Sequence, residues 1–123
     1  MTLTNIELAS VLKLGMDMLM ADGKVHENEQ STISIEMMKF GVSPEKFAHL
    51  CKLAIAMDPV EAIATVRAFD DEEKKHITAF LAVVMAADGE IADSEMALWC
   101  LVSKLASLPK MTVQEALKYW TNE

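Results

Sequence analysis

Two acidic turns of nearly equal sequence are the part of this chain most suited to chemistry. Leu19–Glu29 reads Leu-Met-Ala-Asp-Gly-Lys-Val-His-Glu-Asn-Glu, and Met85–Glu95 reads Met-Ala-Ala-Asp-Gly-Glu-Ile-Ala-Asp-Ser-Glu. The two copies lie 66 residues apart in a chain of 123 residues. Carboxylate oxygens at such a fixed spacing can bind a hard divalent cation, or they can cap helices through backbone N–H groups.

The turns share part of the spacing of the calcium loop of EF-hands. In the pattern D-x-[DN]-x-[DN]-G-x5-E, the Asp, Gly and final Glu of each turn match the third acidic position, the glycine and the last glutamate. The first two ligand positions carry apolar side chains instead, Met18 and Met20 in one copy and Val84 and Ala86 in the other. Calcium takes roughly six to eight oxygen ligands, and half a loop supplies about three or four. Ordinary EF-hand binding is therefore not expected.

A capping role explains much of the same pattern without a metal. Each Gly is typical of a helix end. If the next helices have their N-caps at His26 and Ala92, then Glu29 and Glu95 stand at position N3, from which a carboxylate accepts the N-cap N–H. The Asp of each turn then lies at a helix C-terminus, where the helix dipole disfavours a negative charge. That Asp needs either turn N–H groups or a cation, so the structural and the metal-binding interpretations both stay open.

Seven helices position these turns, and the sequence predicts an all-α fold. No stretch has the period-two alternation of a half-buried strand. The predicted helices cover about 5–21, 27–40, 44–57, 59–68, 71–87, 93–108 and 113–121. Capping signals precede five of them: Thr4 with Glu7, Ser43-Pro44, Asp58-Pro59, Asp70 with Glu73, and Thr112 with Glu115.

The apolar positions predict how these helices pack. The first and fifth helices are the most apolar, so we expect them to lie together at the centre of a compact bundle. Because the turn is repeated, helices one to three correspond to helices five to seven, and the bundle has an internal pseudo-two-fold duplication. The chain is then a single domain over 1–123, with repeat halves at about 4–57 and 70–121 and a connector helix at about 59–68. One face of the sixth helix carries Leu98, Leu101, Leu105 and Leu108.

Composition limits the class of protein. Apolar residues make up 52% of the chain, which excludes an intrinsically disordered chain. The net charge of −8 repels phosphate backbones, so we expect no nucleic acid partner. The longest apolar run, Ala79–Ala87, has nine residues, whereas a membrane-spanning helix needs about 20, so we expect a buried core segment and no membrane span. The N-terminus lacks the basic flank of a signal peptide, and Cys51 and Cys100 are isolated, which indicates buried thiols in a cytoplasmic protein.

No sequence pattern indicates catalysis. The chain has neither G-x-S-x-G, nor HExxH, nor a glycine-rich phosphate loop. Short loops around a filled core also leave little room for a deep cleft, so we predict that the chain is not an enzyme. Met16, Met18 and Met20 could bind a soft metal, but methionine at helical spacing favours core packing. The remaining candidates have structural interpretations, with His49 and His76 at the surface and Trp99 and Trp120 in the core.

The doubled pattern Ala-Asp-Gly-x-[Val/Ile]-x-x-x-Glu, on an acidic all-helical chain, resembles the TerB-like family, named after a bacterial tellurite-resistance protein. The resemblance extends from the first helix to about Trp120. It implies a seven-helix bundle with a duplication, a divalent-metal site at the motif acids, and a non-enzymatic role in bacterial stress response through association with another protein or a second copy. The alternative is a structural scaffold or homodimer in which these acids act only as helix caps. The ligands that the resemblance implies are Asp22, Glu29, Asp88 and Glu95, with Glu27 and Asp93 as additional acids.

Overall fold

The computed structural model of the chain describes residues 3–21, 27–87 and 90–121, and for residues 27–31 it describes the backbone alone. Within these ranges the chain forms seven α-helices and no strand, which confirms the all-α prediction. None of the helices described there is long and apolar enough to cross a lipid bilayer. The helices are α1 (Asn5–Met20), α2 (Glu27–Met38), α3 (Pro44–Ala56), α4 (Pro59–Arg67), α5 (Asp71–Met85), α6 (Asp93–Leu105) and α7 (Val113–Thr121).

The helices begin where the capping signals predict. The hydroxyl oxygen of Thr4 accepts the N–H of Glu7 at 3.2 Å, and the Glu7 carboxylate accepts the N–H of Thr4 at 2.8 Å. This reciprocal pair satisfies two backbone donors that a helix start would otherwise leave without a partner. The other predicted caps form as well, with Ser43 and Asp58 each before a proline, Asp70 opposite Glu73, and Thr112 opposite Glu115.

The ends of α2 and α6 have the same backbone conformation at equivalent positions, 66 residues apart. Gly41 has a φ of +82° and Ser107 has a φ of +54°. The N–H that follows each of them bonds to a carbonyl five residues back, at 3.3 Å after Gly41 and at 2.8 Å after Ser107. This is the left-handed helix ending that glycine adopts at little steric cost. It ends both helices two or three residues before the predicted ends.

The left-handed conformation of Ser107 leads to a stability prediction. A residue with a Cβ atom adopts this conformation at a cost of roughly 1–2 kcal/mol. We expect Ser107→Gly to raise the free energy of unfolding by about 1 kcal/mol, because glycine avoids most of that cost and Ser107 is exposed. Urea unfolding at constant m-value measures the change. Gly41→Ser is the matched control and should be destabilising, whereas a neutral Ser107→Gly would contradict the prediction.

Helices α1 and α5 pack together at the centre of the bundle, as predicted, and about half of the residues of each are buried. Phe80 of α5 lies against Gly15 of α1, where an added Cβ would come within 2.9 Å of the phenyl ring. α1 also packs on α3 and α4, and α5 packs on α7. α1 also contacts α6, and α5 contacts α2. These two contacts are equivalent when one repeat is exchanged for the other, in agreement with the pseudo-two-fold arrangement. The bounds of the repeat halves stay a prediction.

The leucine face of α6 is only partly buried, because Leu108 is buried and Leu98 packs against the core while the other two leucines are exposed. Leu101 is 52% exposed and Leu105 is 46% exposed. Both leucines belong to a stripe with helical spacing, but the adjacent stripe has the same spacing and contains Trp99. Burying the larger indole removes more apolar area from water, so α6 is rotated toward that stripe. The buried face consists of Glu95, Trp99, Val102 and Ala106.

Three further expectations about single residues are wrong. Cys100 is exposed rather than buried, because it directly follows the buried Trp99 on the helix. Met20 is 60% exposed, since it lies on the opposite side of α1 from the buried Met18. His76 is partly buried instead of lying free at the surface, because α7 covers one side of its ring. By contrast, both tryptophans are buried as predicted.

Candidate functional site

Glu95 is the predicted site residue whose surroundings are described most fully. α6 begins at Asp93 with Ala92 as its N-cap, in extended conformation. The Oε1 atom of Glu95 accepts the N–H of Ala92 at 3.0 Å, so Glu95 stands at N3, where the capping interpretation places it. Glu95 is only 1% exposed, whereas Asp93 is exposed to solvent. The second turn thus has one buried carboxylate, Glu95, and two exposed ones, Glu90 and Asp93, among its described residues.

Burial distinguishes Glu95 from the other capping glutamates. Glu7 and Glu73 make the same bond to an N-cap N–H at partly exposed positions, and Glu115 makes it while exposed. At that exposed position, hydrogen bonds with the backbone and side chain of Thr112 lower the pKa of Glu115. A buried carboxylate requires stronger compensation from polar or charged neighbours than an exposed one. A helix cap alone therefore does not require the burial of Glu95.

The other predicted ligands lie outside the described residues. This holds for Asp22 and Asp88, and for the side chains of Glu27 and Glu29 at the start of α2. The expected N-cap at His26 also lies there. Among the side chains that are described, no three His, Cys, Asp or Glu come together as a potential metal group. The metal ligand set therefore stays a prediction.

Asp17, on α1 ahead of the first turn, has a perturbed carboxyl. Burial raises its pKa above the ordinary 3.8, and the opposing attraction of Lys13 at 3.4 Å does not cancel this effect. Between the unfolded and the folded pKa, the native chain then binds more protons than the unfolded chain. The free energy of unfolding therefore falls as pH rises through that window.

Removing this charge should therefore stabilise the chain in a pH-dependent way. We expect Asp17→Asn to raise the free energy of unfolding at pH 7 by a small amount, and this gain should disappear as pH falls below the unfolded pKa of about 3.9. Urea denaturation at a series of pH values measures it. The exposed Asp71→Asn is a control without such a gain. A gain from Asp17→Asn that stays constant down to low pH would show that burial of the charge is not its cause.

A groove between α2, α5 and α7 is a feature that the sequence did not predict. Its volume is about 780 Å³, which corrects the expectation that the bundle has little room for a cleft. The floor is aromatic, with the ring centroid of Phe40 lying 5.7 Å from that of Phe80 and 5.7 Å from that of Trp120. We call it the α2–α5–α7 groove, and it is lined by Glu36, Lys39, Phe40, His76, Val83 and Trp120.

The rim of the α2–α5–α7 groove is polar. The Nε1–H of Trp120 donates to Oε2 of Glu36, and Lys39 pairs with Glu36 at 3.0 Å while lying 4.8 Å above the Trp120 ring. The ring of the lining residue His76 lies 5.4 Å from that of Tyr119, whose hydroxyl donates to Oε1 of Glu72 at 2.9 Å. The sequence signal for this groove was the presence of large aromatics at positions where the other repeat has alanine.

The soft-metal hypothesis gains no support from the second described cavity. Met16, Met20 and Cys51 line an apolar space of about 230 Å³ together with side chains of α1, α2 and α3. Burial raises the pKa of the Cys51 thiol, which disfavours the thiolate that soft metals bind. The cavity is therefore best described as a packing defect between three helices.

The sequence and the fold of this chain are similar to those of known proteins. Residues 9–118 match the family described as tellurite resistance protein TerB. The fold is similar to that of the crystal structure of a protein of unknown function from Porphyromonas gingivalis W83, with a TM-score of 0.89 and 38% sequence identity. That similarity covers 99% of this chain and 92% of the other. No functionally curated protein is a significant match. Both acidic turns fall within the residues that match the family.

Proposed function

The chain belongs to the TerB family, and from that premise we propose that it is a non-enzymatic interaction module of a bacterial stress response whose two acidic turns bind a divalent cation. The family match over both turns supports the module. The single observation that supports the cation is the burial of Glu95, which a cap bond to Ala92 does not require. A cation beside Glu95 offsets the cost of removing that carboxylate from water.

The donor set fits a hard divalent cation. Carboxylate oxygens suit Ca²⁺, Mg²⁺ and Mn²⁺, while soft metals prefer sulfur. A bound cation would also neutralise Asp22 and Asp88, which the sequence predicts to lie at the unfavourable end of a helix dipole. The residues that would hold it are Asp22, Glu29, Asp88 and Glu95, with Glu27 and Asp93 as additional acids.

A purely structural scaffold is the second candidate function. The bond of Glu95 to the Ala92 N–H favours it, because this is the contact that a capping role predicts. In that case the turn acids hold only backbone groups, and metal ions leave the stability of the chain unchanged.

Thermal unfolding with and without millimolar Ca²⁺, Mg²⁺, Mn²⁺ or Zn²⁺ separates these two functions. An ion that binds only the folded chain adds about 2.7 kcal/mol at roughly 100 times its dissociation constant. We expect a higher melting temperature with at least one ion, and no such rise in the double variant Asp22→Asn/Asp88→Asn. The exposed Asp71→Asn is the matched control and should keep the rise. An unchanged melting temperature with every ion, or an undiminished rise in the double variant, would eliminate the cation site.

A further inference from the structure

The apolar cavity between α1, α2 and α3 has a buried floor and an opening to solvent. Its volume is about 230 Å³, and we call it the α1–α2–α3 cavity. Three residues that are at most 4% exposed form its floor, namely Leu12, Leu19 and Ile33. The remaining lining residues lie closer to the surface, namely Met16, Met20, Phe47 and Cys51. The side chain of Met20 is 60% exposed, so the cavity opens beside it.

The lining of the α1–α2–α3 cavity excludes polar occupants. Among the lining residues that the structure describes, none is charged, and the Cys51 thiol, which is a weak donor, is the only side-chain hydrogen-bond donor. A buried water molecule needs about two to four polar partners, and an ion that enters such a space loses its hydration without compensation. An uncharged, apolar guest is therefore the occupant that this lining favours.

The volume of the cavity limits the guest to a small molecule. An engineered cavity of about 150 Å³, lined by leucine, isoleucine and phenylalanine, stays free of water and binds benzene. The α1–α2–α3 cavity is larger than that, so it has room for a molecule of the size of benzene or indole. An α-helix is roughly 10 Å across, and a helix of another protein does not fit between three helices that contact one another.

Sulfur atoms and a ring in the lining favour an aromatic guest over an aliphatic one. Met16, Met20 and Cys51 each contribute sulfur to the lining, and Phe47 contributes its ring. Thioether sulfur makes favourable contacts with the edges of aromatic rings, and two aromatic rings attract each other beyond the area that they bury. An aliphatic guest of the same size gains only the burial of its surface.

The second repeat buries an aromatic side chain of its own at the equivalent position. An offset of 66 residues relates Ile33 of α2 to Trp99 of α6, which is only 6% exposed. The same offset relates Met16 of α1 to the fully buried Ala82 of α5. The inner face of the second helix of a repeat is thus compatible with a buried indole. In the first repeat, the unbranched and flexible Met16 is a side chain that adjusts readily to a guest.

We propose that the α1–α2–α3 cavity binds an uncharged aromatic molecule of about the size of benzene or indole. The ring lies on the floor that Leu12 and Ile33 form, with the methionine sulfurs and Phe47 around it. Leu19 and Met20 are the last two residues of α1, so the guest lies at the helix end that leads into the first acidic turn. None of the described lining residues is a predicted cation ligand, so this site is separate from the proposed cation site.

Indole is the probe for this cavity, and the methyl groups of the methionines report on it. Indole is added, without metal, to the full chain carrying ¹³C-labelled methionine methyl groups. Because an aromatic ring displaces the NMR signals of methyl groups beside it, we expect the Met16 and Met20 signals to shift with a dissociation constant of about 1 mM or tighter. Met38 is the matched control, since it is 57% exposed and does not line the cavity, and its signal should stay in place.

Three variants test whether indole binds inside the cavity. Cys51→Phe places a ring there and should abolish both methyl shifts. Cys100→Phe makes the same change at the exposed cysteine of α6, so it is the matched control and should keep both shifts. Ile33→Trp introduces the residue that the second repeat has at this position, and it should also abolish the shifts. The melting temperature of each variant shows whether it is folded.

Three results would overturn the proposal. The first is that indole, up to about 10 mM, leaves the Met16 and Met20 signals in place. The second is a shift at Met38 as large as that at Met20, which would show that indole binds to exposed methionines in general. The third is that Cys51→Phe or Ile33→Trp is folded and keeps the shifts. Because no metal is added, these outcomes are independent of those of the metal titration.

Discussion

Replacement of Phe80 by alanine is expected to lower the free energy of unfolding by about 3–5 kcal/mol. Phe80 is fully buried on α5, between the central helix α1 and the aromatic rings of Phe40 and Trp120. Its removal leaves a cavity that three helices share, and the rigid helix pair around it cannot close that cavity by moving one side chain. The shift of the urea midpoint at constant m-value measures the loss.

The contact of Phe80 with Gly15 provides the control for this prediction. In the native background, Gly15→Ala should be destabilising, because the added Cβ would lie 2.9 Å from the phenyl ring. In a Phe80→Leu background the ring is gone, and the same substitution should be neutral or stabilising, since alanine favours a helix over glycine by about 1 kcal/mol. Equal effects in both backgrounds would show that the two helices do not meet at this pair.

Replacement of Glu95 by alanine is expected to cost about 3 kcal/mol. The substitution removes the acceptor of the Ala92 N–H and truncates a side chain that is 1% exposed. From the sequence alone, a capping glutamate predicts a loss of roughly 0.5–2 kcal/mol, so the larger value follows from burial. Denaturation of the variant by urea, without added metal, measures the loss.

Two further variants isolate the role of burial at Glu95. Glu95→Gln keeps both the volume and the acceptor oxygen, so it should retain most of the stability that Glu95→Ala loses. Glu115→Ala removes the same capping contact at an exposed helix start, and its effect should be much smaller. If Glu95→Ala is no more destabilising than Glu115→Ala, the buried environment of Glu95 contributes nothing to stability.

The helix starts could be predicted from sequence because each depends on a few neighbouring residues. Thr4 with Glu7 forms its capping pair within three residues of chain, so no knowledge of tertiary structure is needed. The pairing of α1 with α5 could also be predicted, since α1 and the second half of α5 have apolar residues on most sides. The conformation of Ser107 could not be predicted, because a serine does not favour the left-handed conformation that Gly41 adopts readily.

The buried face of α6 and the groove could not be predicted, because both depend on which helices lie nearby. The stripe of Leu101 and Leu105 is as apolar as the stripe of Trp99, and only packing decides between them. The aromatic residues Phe40 and Trp120 indicate an unusual site, but the groove itself depends on how α2, α5 and α7 are spaced, which no local pattern determines. The burial of Glu95 could not be predicted either. The sequence predicts the hydrogen bond that its carboxylate accepts from the Ala92 N–H, but not the exclusion of that carboxylate from water.

The binding of a divalent cation by the turn acids is tested most directly by counting bound ions. The full chain is dialysed to equilibrium against Ca²⁺, Mg²⁺ or Mn²⁺ in turn, and the metal content is measured by atomic emission. We expect at least one bound ion per chain with one of these metals, and a content near zero in Asp22→Asn/Asp88→Asn. A native chain that holds no more metal than this double variant, at every concentration up to the millimolar range, would contradict the account.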